Sequence, residues 1–313
     1  AAVYGKCDYA AEKLRAAFTF YKDDVIASDT FREPLQISNC YLRKNDFAKA
    51  KEFMKLALET SQDKIFLNTY FKSMAILANG FLNDGTSNYI VDAQNELLLT
   101  QNYQGTIDDF EIALEMLFLL EKNLNSGSID FIKLKNKYNS ISSSDKLTKA
   151  RVFAGNQNLL KLQQDLIKTS KDITDLEINI FSENKADKDS LISLYEQKKN
   201  IIKSIYSQSE KMNSLYGDVF SNQDELMAKI PEDTKVLSYF IFDKIAWALI
   251  FSDSEVAFVD LETTSGSLSL KNEMLSESLG TNSKFDFSLS NELYNMIFKK
   301  IDKFFDLGST IFI

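Results

Sequence analysis

The pattern of the chain changes at Pro231, and that change constrains the fold more than any other feature. Ahead of it, apolar residues recur at helical spacing. After it come three runs of β-branched and aromatic residues, Val236–Phe242, Ile245–Phe251 and Glu255–Leu261. Asp243-Lys244 and Ser252-Asp253-Ser254 separate them. A proline ring removes a backbone donor and clashes with the preceding turn, so a helix is expected to stop at Pro231. Short apolar runs broken by two or three polar residues read as a β-meander. The expected fold is therefore mostly α, with an α/β domain opening at residue 231.

A length of 313 residues accommodates two or three domains of ordinary size. We place them at 1–125, 126–230 and 231–313. The formal charge of −9 argues against a nucleic-acid binder, which needs a basic face to displace counterions. Only two prolines and ten glycines are present, too few for long flexible linkers or a turn-dense β architecture. There is no histidine, which excludes Ser-His-Asp and Cys-His catalysis and His-containing metal sites within this chain. No catalytic residue, metal ligand or cofactor-binding residue is identified. Cys7 and Cys40 both lie in helical patterns, where a free Cys behaves as a small buried hydrophobe, and no bridge between them is expected. No apolar run approaches the roughly 18 residues that span a bilayer. Residue 1 is Ala, and the apolar Thr310–Ile313 closes the sequence. We expect an internal fragment of a longer protein, in which a preceding signal peptide would not be visible, and we expect a cytoplasmic location.

Ile37–Thr60 is the clearest local unit. Pro34 suits the first turn of a helix that runs to about Lys44. Asn45-Asp46 makes a turn and caps a second helix. On that helix Phe47, Ala50, Met54 and Ala57 share one face. This resembles the tetratricopeptide repeat, a helix-turn-helix of about 34 residues. Tyr41, Asp46-Phe47, Ala50, Met54 and Ala57 match its positions, Ser38 takes its small-residue position, and Pro34 stands where the repeat has Trp. Asp109–Ala113 with Leu117 and Leu120 is a second candidate unit, and Asp8-Tyr9 with Ala16 a third. Phe47 and Phe110 are 63 residues apart and Tyr9 and Phe47 are 38 apart, so the array is irregular. Altered loops such as Asn83–Asn88 go with that irregularity. The other reading is a generic helical hairpin without repeat ancestry. The resemblance implies a protein or peptide partner held by Asn39, Tyr41 and Arg43. The bland alternative for Asn39 and Arg43 is a solvated face.

Breaks are expected at Asn125–Ser128 and Ser140–Ser144, with Ser144 or Asp145 capping the next helix. Leu159, Leu162, Leu166, Ile173, Leu176 and Ile180 then alternate spacings of three and four, with Thr169 in one slot. Ser182–Lys188 is a polar break. Leu191, Tyr195, Ile202, Ile205, Met212, Tyr216 and Val219 resume the alternation, with Lys198 and Ser209 as imperfect slots. Two heptad helices joined by a short polar stretch suggest an antiparallel hairpin. Ordinary amphipathic helices, or a dimerising coiled coil, are the alternatives. Charged stretches such as Glu196–Lys199 read as solvated surface.

Beyond the meander, Thr263–Gly266 reads as a loop and Leu268–Leu279 as a helix with Leu270, Met274 and Leu275 on its face. Gly280–Lys284 reads as a loop, Phe285–Phe305 as a long helix, Gly308 as a stop, and Thr310–Ile313 as a strand. The order resembles the opening of a CHAT domain, the caspase-like domain attached to tetratricopeptide repeats. Ile230-Pro231, Tyr239-Phe240, Trp247–Phe251, Val256–Leu261 and Leu293-Tyr294 carry that resemblance. It implies cysteine-peptidase chemistry with a His base and a Cys nucleophile. Neither can be assigned here, because the chain has no His and no Cys after residue 40. Three functions follow as expectations: an interaction arm joined to a caspase-like peptidase domain, a non-enzymatic scaffold, or a coiled-coil sensor.

Overall fold

A computed structural model describes residues 6–20, 27–60, 69–83, 88–98, 107–124, 127–149, 156–183, 188–208, 222–242, 246–280, 286–305 and 310–312. The chain is mostly helical and divides into two compact units, Ala1–Ser221 and Asn222–Ile313.

The first unit contains α1 (Cys7–Phe20), α2 (Ala27–Arg43), α3 (Phe47–Thr60), α4 (Thr69–Leu82), α5 (Asn88–Leu98), α6 (Ile107–Leu124), α7 (Phe131–Lys149), α8 (Gln157–Glu183) and α9 (Lys188–Ser207). Helices α2 and α3 form the hairpin expected around Asn45-Asp46. The N–H groups of Asn45 and Asp46 donate to the carbonyls of Leu42 and Tyr41, both at 3.0 Å. That bonding pattern, with Asn45 in the left-handed region at φ 58°, is a Schellman close to a helix. Asp46 Oδ1 then accepts from Lys49 N at 3.2 Å and caps α3. Helix α2 begins at Ala27, well before the expected start, so Pro34 lies inside it rather than in its first turn. The ring removes one i→i−4 bond there, and burial of Phe31, Leu35, Ile37 and Leu42 holds the helix together around that gap.

Helix α6 lies at the centre of the first unit. Every residue from Asp109 to Glu121 is buried, and α6 touches α2, α4, α5 and α7. A helix apolar all round, as Phe110, Ile112–Leu114 and Met116–Leu120 make this one, must be enclosed. Helix α7 runs through the expected break at Ser140–Ser144. The stretch contains neither Gly nor Pro, and serines alone weaken a helix without ending it. The next helix starts later, where Asn156 Oδ1 accepts from Leu159 N at 3.2 Å.

Helices α8 and α9 form the expected antiparallel hairpin. Leu159 and Leu166 near the start of α8 pack with Ile201, Ile202 and Ile205 near the end of α9. Ile173, further along α8, packs with Leu191 at the start of α9. Thr169 occupies its heptad slot and is buried. Ser209, Met212, Tyr216 and Val219 lie outside the described residues.

The second unit opens with one helical turn, α10 (Gln223–Met227), capped by Asn222, whose Oδ1 accepts from Glu225 N at 2.8 Å. After Pro231 come β1 (Thr234–Ile241), β2 (Ala246–Phe251) and β3 (Val256–Asp260). Helices α11 (Ser265–Gly280) and α12 (Phe287–Ile297), a 3₁₀ turn at Asp302–Phe304, and β4 (Thr310–Phe312) follow. The sheet order is β3-β2-β1-β4. The first three strands are the expected meander: β1 and β2 are antiparallel, with Val236 opposite Phe251, and β2 and β3 antiparallel, with Trp247 opposite Asp260. β4 joins β1 in parallel, with Val236 opposite Phe312. All six residues of the central β2 are buried, as a strand covered on both faces requires. Ala246, Ala248 and Ile250 belong to one cluster with Leu237, Leu261 and Ile301.

Two helical expectations in this unit need correction. Leu270 and Met274 do not line a buried face, being 59% and 50% exposed. The long helix Phe285–Phe305 ends at Ile297. Phe298, Ile301, Phe304 and Phe305 all pack on the sheet cluster. They do so from hydrogen-bonded turns and the 3₁₀ segment that follow the end of α12.

Candidate functional site

The hairpins of the first unit carry the residues singled out for partner binding. Ser38 on α2 is buried and its Oγ donates to the carbonyl of Ala50 on α3 at 3.1 Å. A hydroxyl that reaches a backbone carbonyl of the neighbouring helix needs small residues at the crossing, which Ser38 and Ala50 supply. The same device recurs in the next hairpin. Ser73 on α4 donates to the carbonyl of Ala93 on α5 at 2.8 Å, and Gly80 brings α4 onto Tyr89. Sequence reasoning missed this second hairpin. Its readable signal was a Ser one repeat length after Ser38, but the longer connection after Leu82 shifts its Ala partner out of register.

The three expected binding residues face inward. Asn39 is 1% exposed, and its Nδ2 donates to Ile112 O and to Glu115 Oε2, each at 3.2 Å. Arg43 pairs with the other oxygen of Glu115 at 2.8 Å. Tyr41 is 3% exposed, stacks on Phe53 and donates to Asp8 Oδ1 at 2.9 Å. A peptide would reach Asn39 only by displacing α6, and Tyr41 only by displacing α1. These residues therefore bind α6 and α1 rather than forming an open partner face. Their helical positions were legible, but the helices that cover them were not.

Helix α1 closes over the hairpin in a defined way. Cys7 and Cys40 form a disulfide with Cα atoms 5.7 Å apart, which corrects the expectation of two free thiols. Both lie in helices, but α1 crosses α2 so that its first residue meets Cys40. Next to the bridge, Asp8 accepts from Lys49 Nζ at 2.8 Å as well as from Tyr41. Lys49 Nζ also sits 5.0 Å above the Tyr41 ring. The hydrogen bonds from Lys49 and Tyr41 hold the Asp8 carboxyl below its ordinary range. Burial, then the bond to Asp8, pushes the Tyr41 hydroxyl up. The bond to Asp8 raises Lys49. Two turns along α1 from Asp8, Arg15 pairs with Glu52 and lies over the Phe53 ring at 5.3 Å.

A shallow cleft of about 350 Å³ opens between α4 and α5, lined by Lys72, Ile76, Asp92, Asn95 and Glu96. Lys72 and Glu96 already pair across it at 2.8 Å. Among the described residues no group of His, Cys, Asp and Glu could hold a metal ion, and no helix is long and apolar enough to cross a membrane. The chain matches no protein-family model, no curated protein and no solved structure.

Proposed function

We propose that the first unit is a tetratricopeptide-like protein-binding arm, and that the second is the opening part of a caspase-like CHAT domain whose proteolysis the arm regulates. The observation that carries the arm is the recurrence of one contact in successive hairpins. Ser38 and Ser73 stand 35 residues apart and each bonds the carbonyl of an Ala on the following helix. That spacing is close to the repeat length of about 34 residues. A meander, two helices and then a further strand support the second part, because this order of elements is the one the resemblance implies. The peptidase dyad itself has no residues here: the chain has no His, and its two cysteines are bonded to each other. Within these 313 residues the activity is binding, which is what the scaffold reading also describes. The sensor reading has less support, since Leu159, Leu166 and Ile173 of α8 pack against Leu191, Ile202 and Ile205 of α9. The Cys7–Cys40 bridge argues for an oxidising compartment over the cytoplasmic expectation.

Selection of peptides from a random library against the whole chain tests the arm. Bound peptides are expected to slow amide exchange in α2–α5. Selected peptides that protect only α8 and α9, or a library that yields none, would refute it.

A further inference from the structure

Helix α1 is held to the hairpin by one covalent bridge together with non-covalent contacts. Cys7 and Ala11 are its buried side chains among those described, at 0% and 2% exposure. Leu14, Ala17 and Phe18 are half-buried, and polar contacts join α1 to the hairpin from Asp8 to Tyr41 and Lys49 and from Arg15 to Glu52. Exposed ion pairs of this kind hold weakly, because water and salt screen both charges. A free helix of 14 residues is marginal in water. The covalent Cys7–Cys40 bridge is the restraint on α1 that a reductant can remove.

The surface beneath α1 has its own chemistry. Lys49 and the Tyr41 hydroxyl receive an acid at one end. Glu52 and the Phe53 ring receive a base at the other. Between them the helix must bring a small side chain, as Ala11 does. Asp8, Ala11 and Arg15 stand at i, i+3 and i+7, on one helical face.

We propose that Tyr41, Lys49, Glu52 and Phe53 form a helix-docking site that α1 occupies in cis, and that takes in trans a partner helix with an acid, a small residue and a base at i, i+3 and i+7. The idea rests on the reading of the first unit as a binding arm and names the partner chemistry of one of its faces. The bridge decides access. A dithiol reductant opens it by thiolate attack on one Sγ, giving a mixed disulfide and releasing the other cysteine. The second thiol of the reductant then displaces the remaining cysteine. The reductant leaves as a disulfide, and Cys7 and Cys40 take up two electrons and two protons.

The test uses the full chain carrying Cys7→Ser and Ala11→Asp, which unlatches α1 and leaves α2 and α3 native. The probe is a fluorescein-labelled peptide of residues 6–20 with Cys7→Ser. Saturable binding by anisotropy is expected, with none to the bridged wild-type chain. Adding Lys49→Glu to the protein should weaken binding about tenfold, and Asp8→Lys in the peptide should restore it. Four results overturn the proposal: absence of saturable binding, binding indifferent to Lys49→Glu, dimers that exchange α1 between copies, or loss of cooperative unfolding of the first unit in the unlatched chain. None of these touches the other hairpin faces, so the arm reading is judged separately by the library footprint.

Discussion

Arg43 on α2 and Glu115 on α6 close an ion pair of 2.8 Å in which the side chains are only 21% and 11% exposed. The second carboxylate oxygen takes the Asn39 amide at 3.2 Å. One buried acid of the central helix thus fixes two residues of the first hairpin. Arg43→Ala leaves Glu115 half-satisfied in a low-dielectric site and should destabilise the first unit by about 2 kcal/mol. A double-mutant cycle with Glu115→Ala, read from urea midpoints, should give a coupling of about 1–2 kcal/mol. A coupling below about 0.5 kcal/mol would place the pair with ordinary surface ion pairs.

Gly80 tests the closeness of the second hairpin. A Cβ built there would lie 2.2 Å from Tyr89 Cγ and 2.6 Å from its Cβ. Neither atom belongs to a flexible side-chain end, so one helix must move. Gly80→Ala should destabilise by about 1–3 kcal/mol, although alanine is the better helix former by about 1 kcal/mol. Gly266, in the first turn of α11, has nothing within 4 Å of a built Cβ. Gly266→Ala should be neutral or slightly stabilising in the same thermal unfolding measurement, and equal effects at the two sites would refute the steric argument.

Local signals were legible in the sequence, and long-range ones were not. Asn45-Asp46 announced both a helix end and a helix start because the left-handed Asn and the capping Asp are local chemistry. The heptads of α8 and α9 predicted their own partner, since each needed an apolar seam and the other lay one short turn away. The meander was legible because its breaks are polar and its strands are dense in β-branched and aromatic residues. The burial of Asn39, Tyr41 and Arg43 depends on where α6 and α1 pack, and no residue near them encodes that. The Cys7–Cys40 bridge depends likewise on the crossing of α1 over α2. Ser140–Ser144 misled because a run of serines has loop composition without a loop-forming backbone.

Lys137 on α7 is 9% exposed, and burial, with Lys199 nearby, holds its ammonium pKa down to about 8. The unfolded chain keeps the ordinary value of 10.5. The folded state therefore binds fewer protons between those values, so the cost of the buried charge is full below about pH 8 and is relieved as pH rises towards 10.5. Lys137→Met removes the cost and should stabilise the first unit by about 2 kcal/mol at pH 7. The advantage should shrink by about pH 9.5. Urea titrations of both proteins at the two pH values check this, and an advantage independent of pH would assign the effect to packing instead.

Asp8 gives the α1 contact an acid limit. In a chain with Cys7→Ser, α1 is held by Asp8 and Arg15 rather than by the bridge. Hydrogen bonds from Lys49 and Tyr41 lower the Asp8 pKa from 3.8 in the docked state. A lowered carboxyl supports docking fully above its undocked value, and that support is lost as pH falls through the docked value. Lys49 is raised from 10.5, so its support is complete below that value and is lost only as pH rises through the raised one. Amide exchange in α1, corrected for intrinsic rates, should therefore be flat across neutral pH and accelerate below the carboxylate range. Adding Asp8→Asn should remove the acid limb and leave a faster rate that no longer responds to acid. If the chain with Asp8 and the chain with Asn lose protection over the same acid range, the carboxylate does not hold α1, and the acid limit belongs to unfolding of the hairpin beneath it.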